Sequence, residues 1–392
     1  MLTRFVARDF RNFAQLDVEV PSRGLVIVGE NGQGKTNLLE AVAYLSLLRS
    51  MRGARDADMI RFGQPALHVR AEMQAPATAN SASVGYERST RKKKAMLDGV
   101  EQPRLTAALG ALPSVGFSPE DVSLVAGSPA ERRRYLDVAL ALSSRPYLVA
   151  LQHYRAALLR RNAVLRQAQR EHGARAHALI DQVSLWEPAL AEHGGMVMAM
   201  RLQFVQSHAA QFSQLADAIG ERQPVTMRYV FSSGAAVSVS ELSSVTSDGE
   251  HGEPHAPLSR FLRDVLEIAL EQQRAQEVRR GMTLVGPHRD ELALLLGGRE
   301  LRTFGSAGQQ RSAAIALRLL ELASLRDAIG GTPLLLLDDP FAELDLGRAG
   351  RVLELLEATG VDQVLLAVPR LEDIPEAFTR LERRTMHDGV LS

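Results

Sequence analysis

The stretch "VGENGQGKTN", Val28 to Asn37, decides the fold. It closes a short β-branched run, "GLVIV" at 24–28, and opens a segment with Leu38, Leu39, Val42, Leu45 and Leu48 on one helical face. Residues 29–36 fit G-x-x-x-x-G-K-[ST], the phosphate loop that joins a strand to a helix. Its glycines let successive backbone N–H groups curl around an anion, and the helix N-terminus behind them adds partial positive charge. Gly29, Glu30, Asn31, Gly32, Gln33, Gly34 and Asn37 are the expected nucleotide contacts. Lys35 would reach the β- and γ-phosphates, and the Thr36 hydroxyl would ligate Mg²⁺. Lysine is scarce here: Lys35, Lys92, Lys93 and Lys94 are the only ones in a chain that otherwise uses arginine. A compact ammonium suits the inside of such a loop better than a guanidinium fork.

A second motif lies about 300 residues downstream, where the apolar run Leu334–Leu337 ends in Asp338 and Asp339. A buried strand ending this way places Asp338 to hold Mg²⁺ and Asp339 to polarise an attacking water. A kinase or small GTPase has no need of so long an interval. The length of 392 residues leaves room for about two to three domains. An apolar share of 45% and a charged share of 23% are those of an ordinary globular protein. No apolar run approaches the ~20 residues of a membrane span, and "MLTRFVARDFRNF" lacks the features of a signal peptide. A soluble cytoplasmic protein without a membrane partner is expected. Cysteine is absent, which removes disulfides and thiolate chemistry. The 46 basic and 46 acidic residues cancel, so any nucleic-acid binding has to come from a local patch.

Texture along the chain suggests a head split by an insertion. Residues 1–125 alternate as strands around one helix, with a hairpin turn at Asp98-Gly99. Residues 126–284 read as long arginine-rich helices, interrupted by a strand in "PVTMRYVF" and by a glycine- and serine-rich loop or flexible linker at 233–257. A helix of about 30 residues spans ~45 Å, which makes a compact arm. Strand signals return in "MTLVG" and in "LALLLGGRELR", a hairpin across Gly297-Gly298, so 285–392 is assigned to the head again. Helical segments between parallel-type strands make the head α/β.

Shortly before the acidic strand stands Ser306-Ala307-Gly308-Gln309-Gln310-Arg311, followed by a helix. By itself this is an N-capped helix start. In the order phosphate loop, arm, helix cap, acidic strand, it matches the signature motif of ABC-type ATPases, where one subunit closes over the nucleotide of another. "FRNF" at 10–13, "FSPEDV" at 117–122, "GSPAERRRYLD" at 127–137, "GPHRDEL" at 286–292 and "LLLLDDPFAELD" at 334–345, together with the two motifs above, resemble the RecF family of bacterial recombination-repair ATPases, relatives of the SMC proteins. The resemblance implies an ABC-type P-loop head with an inserted, mainly helical arm. It also implies a weak, DNA-stimulated ATPase that uses ATP and Mg²⁺. Such a protein dimerises on ATP, binds DNA at single-strand gaps, and assists RecA loading with RecO and RecR. By position, Ser306, Gly308 and Gln309 would act across the dimer, Glu343 and Asp345 would couple the two sites, and Arg11 and Asn12 would lie beside the nucleotide.

Two departures stand out. "QVLLAVPR" offers Ala367, Val368 and Pro369 where many relatives carry a side chain that senses the γ-phosphate, and "VGFSPED" lacks the glutamine usual in ABC proteins. Arg91, Lys92, Lys93, Lys94, Arg132 and Arg133, with the arginines of 155–170, are candidate DNA phosphate contacts or else a solvated face or salt-bridge partners. Two other readings stay open: an SMC/ABC-like ATPase coupled to a nuclease, and a P-loop small-molecule kinase.

Overall fold

The computed structural model describes residues 1–74, 79–171, 173–232, 256–342 and 344–392. Most of the expected linker at 233–257, and Glu343, lie outside the described residues. Two compact units emerge. One comprises Met1–Val125, Leu215–Arg222 and Gly305–Ser392, the other Ala126–Gln214 and Gln223–Phe304.

The first unit is the head, and two six-stranded sheets build it. The strands of one run in the order Phe13–Glu19, Leu2–Phe10, Ala66–Met73, Ser81–Glu87, Lys92–Leu97 and Val100–Glu101. Every neighbouring pair is antiparallel. The alternating patterns in these segments put one face inward and the other in solvent, as in Ala66–Met73, where Leu67, Val69, Ala71 and Met73 are buried. The turn between the last two strands is made by Asp98 and Gly99, both at positive φ, as their sequence predicts.

The other sheet has the order Val390–Leu391, Glu382–His387, Gly24–Val28, Val364–Val368, Leu334–Asp338 and Ser114–Phe117. Its five long strands pair in parallel. The runs "LLLL" and "VLLAV" are continuous because both faces of these central strands are covered. Strands from both ends of the sequence interleave here, so the head cannot form without its C-terminal third. The helix Lys35–Leu47 packs against strands of both sheets and is buried on nearly all sides. That is more than the one apolar stripe visible in its sequence. Glu40, wholly buried in this helix, accepts a two-pronged ion pair from Arg11 at 2.9 and 3.1 Å and a hydrogen bond from Ser50.

The second unit is the arm. Its long helices are Pro129–Ser143, Arg145–Ala168, Glu187–Ile219 and Ala256–Arg280, the third ending within the head's segment 215–222. It also holds a small antiparallel sheet, Val225–Val230 against Glu291–Leu296, with Arg299–Glu300 turning back across Gly297-Gly298. This corrects the boundary expected at 284: residues 285–304 belong to the arm, and the head resumes at Gly305. Pairing is the reason, since Glu291–Leu296 finds its ladder on the lone strand Val225–Val230.

"MTLVG" at 282–286 is also not the strand expected. Side chains capture its backbone N–H groups: Thr283 donates to Asn162 Oδ1 at 2.8 Å, Leu284 to Glu277 Oε1 at 2.7 Å, and Gly286 to Ser232 Oγ at 3.0 Å. Among the described residues no helix is long and apolar enough to cross a membrane.

Candidate nucleotide-binding site

The parallel order of the central sheet carries Gly29–Thr36, Asp338-Asp339, Pro369 and the turn Ser118–Glu120 to one end of neighbouring strands. There, all of these but Gly29, Glu30 and Gln33 line a cleft of about 370 Å³. Ligands of open α/β sheets bind at this carboxyl end of the strands. Asn31, Gly32, Gly34, Lys35, Thr36 and Asn37 form one wall.

Backbone conformation explains the glycines. Gly32 and Gly34 take φ of 86° and 116°, a region an L side chain resists. At Gly34 a β-carbon would also come within 2.6 Å of Asn12 Nδ2. Asn12 holds the loop from outside, donating to Gln33 O at 3.1 Å and accepting from Asn37 at 2.8 Å. The tip of the C-terminal hairpin adds the Asp388 N–H to Gln33 Oε1 at 2.7 Å and the Gly389 N–H to Gln33 O at 3.0 Å. Asn12 and Gln33 thus act on the loop's shape.

Lys35 is 7% exposed and donates to the loop's own carbonyls, Gly29 O at 2.6 Å and Glu30 O at 2.9 Å. Burial lowers its pKa, and the charges of Asp338 and Asp339 oppose the shift. Asp338 moves the other way: burial raises its carboxyl, Asp339 adds to that, and a hydrogen bond with Thr36 and the charge of Lys35 work against it. Asp339 leaves the strand at φ 44°, with its N–H on Ala367 O at 2.9 Å. A non-glycine residue in that region costs about 1–3 kcal/mol, and the turn places Asp339 in the lining of the cleft.

The chemistry of these donors fits a nucleotide triphosphate and a hard divalent cation. The loop offers N–H groups and an ammonium to an anion. Thr36 and Asp338 offer two oxygens that already touch each other, the donor type Mg²⁺ takes.

The two departures are visible in the same cleft. Pro369, which has no N–H to donate, lines it at the end of Val364–Val368, while Ala367 is buried. At the position of the absent glutamine stand Ser118, Pro119 and Glu120. Glu120 is bound by Arg52, with Nη2 to Oε1 at 2.9 Å. Sequence reasoning missed Arg52, Ser118 and Glu120 as cleft residues. Only the strand order brings "FSPEDV" beside the phosphate loop.

Other expected residues lie elsewhere. Arg11 does not line the cleft; its guanidinium is committed to Glu40 and to Asp58 O. Ser306, Gly308 and Gln309 do not line it either. Ser306 caps the helix Ala307–Ile329 and trades hydrogen bonds with Gln309, as the simple cap reading expects, and it remains exposed. Asp345 caps Leu346–Ala358, accepting from the Arg348 N–H at 2.9 Å. Arg348 Nη1 lies where it would be 2.5 Å from a β-carbon on Gly308, so this arginine joins the two motifs.

The basic candidates divide. Lys93 is turned inward, on Asp56 at 2.7 Å, on Leu48 O at 2.7 Å and over the Tyr44 ring. Arg132 is buried in a pair with Glu291 at 2.7 Å, and Arg133 donates to Asp290 O. Arg161 is fully buried, on Glu187 and Glu277. Arg91, Lys92 and Lys94 are exposed, with Lys94 paired to Glu101.

A family model described as RecF/RecN/SMC N terminal domain matches residues 1–390. The chain is 36% identical to the DNA replication and repair protein RecF of Rhodococcus erythropolis, over 95% of this chain and 90% of that protein. It is 34% identical to the protein of that name in Streptomyces avermitilis, over 100% and 99%. The chain belongs to the RecF family. A solved structure of the recombination mediator protein RecF-ATP in the RecFOR pathway superposes with a TM-score of 0.82 at 26% identity, covering 100% of this chain and 96% of that one. An Smc head bound to the C-winged helix domain of ScpA shares the fold, with a TM-score of 0.51 at 13% identity over 100% and 96%.

Proposed function

We propose that the chain is an ATP-driven DNA clamp of recombinational repair, acting in the cytoplasm and closing as a homodimer around two shared nucleotides. One observation carries this reading: Lys35, Thr36, Asp338 and Asp339 converge on one cleft, while Ser306 stands exposed outside it. A signature motif that does not reach its own cleft suits one that completes the cleft of a second copy.

In that reading the loop N–H groups and Lys35 bind the β- and γ-phosphates. Thr36 and Asp338 would hold Mg²⁺, which supplies charge neutralisation across the phosphates when bound. Asp339 orients the attacking water and accepts its proton as the γ-phosphoryl bond to ADP breaks. Pro369 gives no hydrogen bond to the γ-phosphate, so hydrolysis is slow and the closed state is long-lived. DNA, held through its backbone at single-strand gaps, stimulates turnover, and RecO, RecR and RecA are the partners that the family resemblance implies.

Charge-assisted hydrogen bonds to the shared γ-phosphates, ~1.5–3 kcal/mol each, would shift a weak dimer by orders of magnitude. ATP should therefore give a dimer in sedimentation, and ADP a monomer. Ser306→Arg should bind ATP yet stay monomeric. Mixed with Lys35→Met, it should regain partial ATPase, because a mixed dimer can build one sound site. No recovery on mixing, with Ser306→Arg sedimenting as wild type, would make the shared site wrong.

A further inference from the structure

The arm helix Arg145–Ala168 buries Tyr147, Leu151, Tyr154 and Leu165 on one side. Its opposite side holds a pattern that neither the arm's core nor the cleft explains. Val149, Ala156, Leu159 and Ala163 are all exposed, Leu159 by 68%. With Gln152 between the first two, the steps along the helix are three, four, three and four residues. That is the a/d spacing of a coiled-coil seam, over about 21 Å. Single exposed leucines are common, but here Leu159 shares one exposed face with Val149, Ala156 and Ala163, an apolar strip interrupted only by Gln152 and without a partner among the described residues.

Charge beside the seam has one sign. Residues 145–170 contain no Asp or Glu, and of their arginines Arg161 is buried on Glu187 and Glu277 and Arg155 is paired with Asp137, which leaves Arg145, Arg160, Arg166 and Arg170 on the exposed surface. Next to Leu159, Arg160 lies across the Trp186 ring at 5.3 Å, and Leu185 beside that tryptophan is 74% exposed. Arginine and tryptophan are the side chains most often found to dominate interfaces.

We propose that this face docks an amphipathic helix of another protein, one with an apolar heptad seam flanked by Asp and Glu. A second copy of this chain would bring like arginines against these, which is unfavourable. A DNA backbone would use the arginines and leave the apolar seam in water. The proposal does not rest on the ATPase reading, and its test omits nucleotide.

The test uses the full chain and two designed helical peptides with leucine at the seam positions, one carrying Glu and the other Lys at the flanks. Trp186, the only tryptophan, reports occupancy by its emission, and labelled peptide gives the affinity by anisotropy. The Glu peptide should bind at least roughly tenfold more tightly than the Lys peptide. Leu159→Glu should abolish binding, and Arg160→Glu should turn the preference toward the Lys peptide. Circular dichroism should be unchanged in both variants, since both residues are exposed. Should Leu159→Glu fail to fold, the charge reversal at Arg160 decides alone.

Equal or no binding of the two peptides overturns the proposal. So does a nucleotide-free dimer that Leu159→Glu dissolves, which would make the face a self-interface. A DNA oligomer that changes Trp186 emission, and loses that effect in Arg160→Glu, would make it a nucleic-acid surface instead.

Discussion

In the head, Lys35, Asp338 and Asp339 face a cleft of about 370 Å³. In the arm, Arg161, Glu187 and Glu277 face one another. Arg161 is fully buried, within 2.8 Å of Glu187 and 2.7 Å of Glu277, and donates to Thr283 at 2.9 Å. Burial would raise the Glu187 carboxyl, yet the bonds from Arg274 and Arg161 hold it below its usual range. A second arm cluster repeats the theme: Arg201 binds Asp137 at 2.6 Å and Pro287 O at 2.6 Å. The head sets Lys35, Asp338 and Asp339 along an open cleft that a ligand can enter. The arm pairs its buried charges with one another, so removing one member should harm folding there and function in the head.

The largest expected effect follows from the arm. Arg161→Met leaves Glu187 and Glu277 buried around an apolar side chain, and breaking such a cluster costs about 3–5 kcal/mol. Urea unfolding followed by Trp186 emission reads the arm, where Trp186 lies. A loss under about 1 kcal/mol would mean the cluster is solvated or rearranges freely, and the contrast with the head would fail.

Lys35→Arg should do the reverse. The wider guanidinium does not fit between Gly29 O and Glu30 O. ATP turnover and ATP-dependent DNA retention should fall by roughly 10²-fold, the scale for losing one positioned donor. The arm's urea midpoint should stay where it was. Wild-type turnover in this variant would remove the loop from the mechanism.

The same contrast explains what was legible in the sequence. The phosphate loop, the acidic strand and the α/β head were readable because each motif carries its meaning locally: glycine at positive φ, a lysine behind it, an apolar strand ending in acids. Arg52 and Glu120 were not readable, since nothing near either residue says that Ser114–Phe117 pairs with Leu334–Leu337. Arg132 and Arg161 are salt-bridge partners, one of the expected alternatives, but their burial was not readable, because it is set by partners far away, Glu291 in one case and Glu277 in the other. The end of the arm was misplaced for a related reason, as Glu291–Leu296 looks like any strand until its pairing is known. Arg11 matched a family motif, yet its guanidinium holds the cleft's helix through Glu40.

Acid should separate the two regions at a smaller scale. His288, in the arm, accepts from or donates to Tyr154 at 2.6 Å, and burial is the main cause of a pKa lowered to about 4. The folded arm therefore binds fewer protons than the unfolded chain below the ordinary histidine value near 6.5. Stability from this group is complete above about 6.5 and drains as pH falls toward 4, by about 2 kcal/mol at pH 5. His193, also lowered by burial and by His153, adds a slope of the same sign. Asp137 and Glu187, held below their usual range, titrate lower still. His288→Gln should flatten most of the slope of the Trp186-detected midpoint between pH 6.5 and 5. An unchanged slope would place the acid-sensitive group elsewhere.

The smallest effects test the division within a single strand. In Lys92–Leu97, Lys92 points outward, while Lys93 points in to Asp56, Leu48 O and the Tyr44 ring. Lys93→Gln should cost about 1 kcal/mol of head stability, the scale of one partly buried ion pair. It should not alter the slope of log affinity for DNA against log salt. Lys92→Gln should leave stability within about 0.5 kcal/mol. If this strand meets the DNA backbone, the substitution should reduce that slope by about 0.9, one phosphate contact, equally on unrelated duplexes. Neighbouring lysines of one sequence run would then divide as the head and arm do, one used inside the fold and one left for a ligand. Should Lys93→Gln change the slope and Lys92→Gln the stability, burial is the wrong guide to which charges this chain presents to DNA.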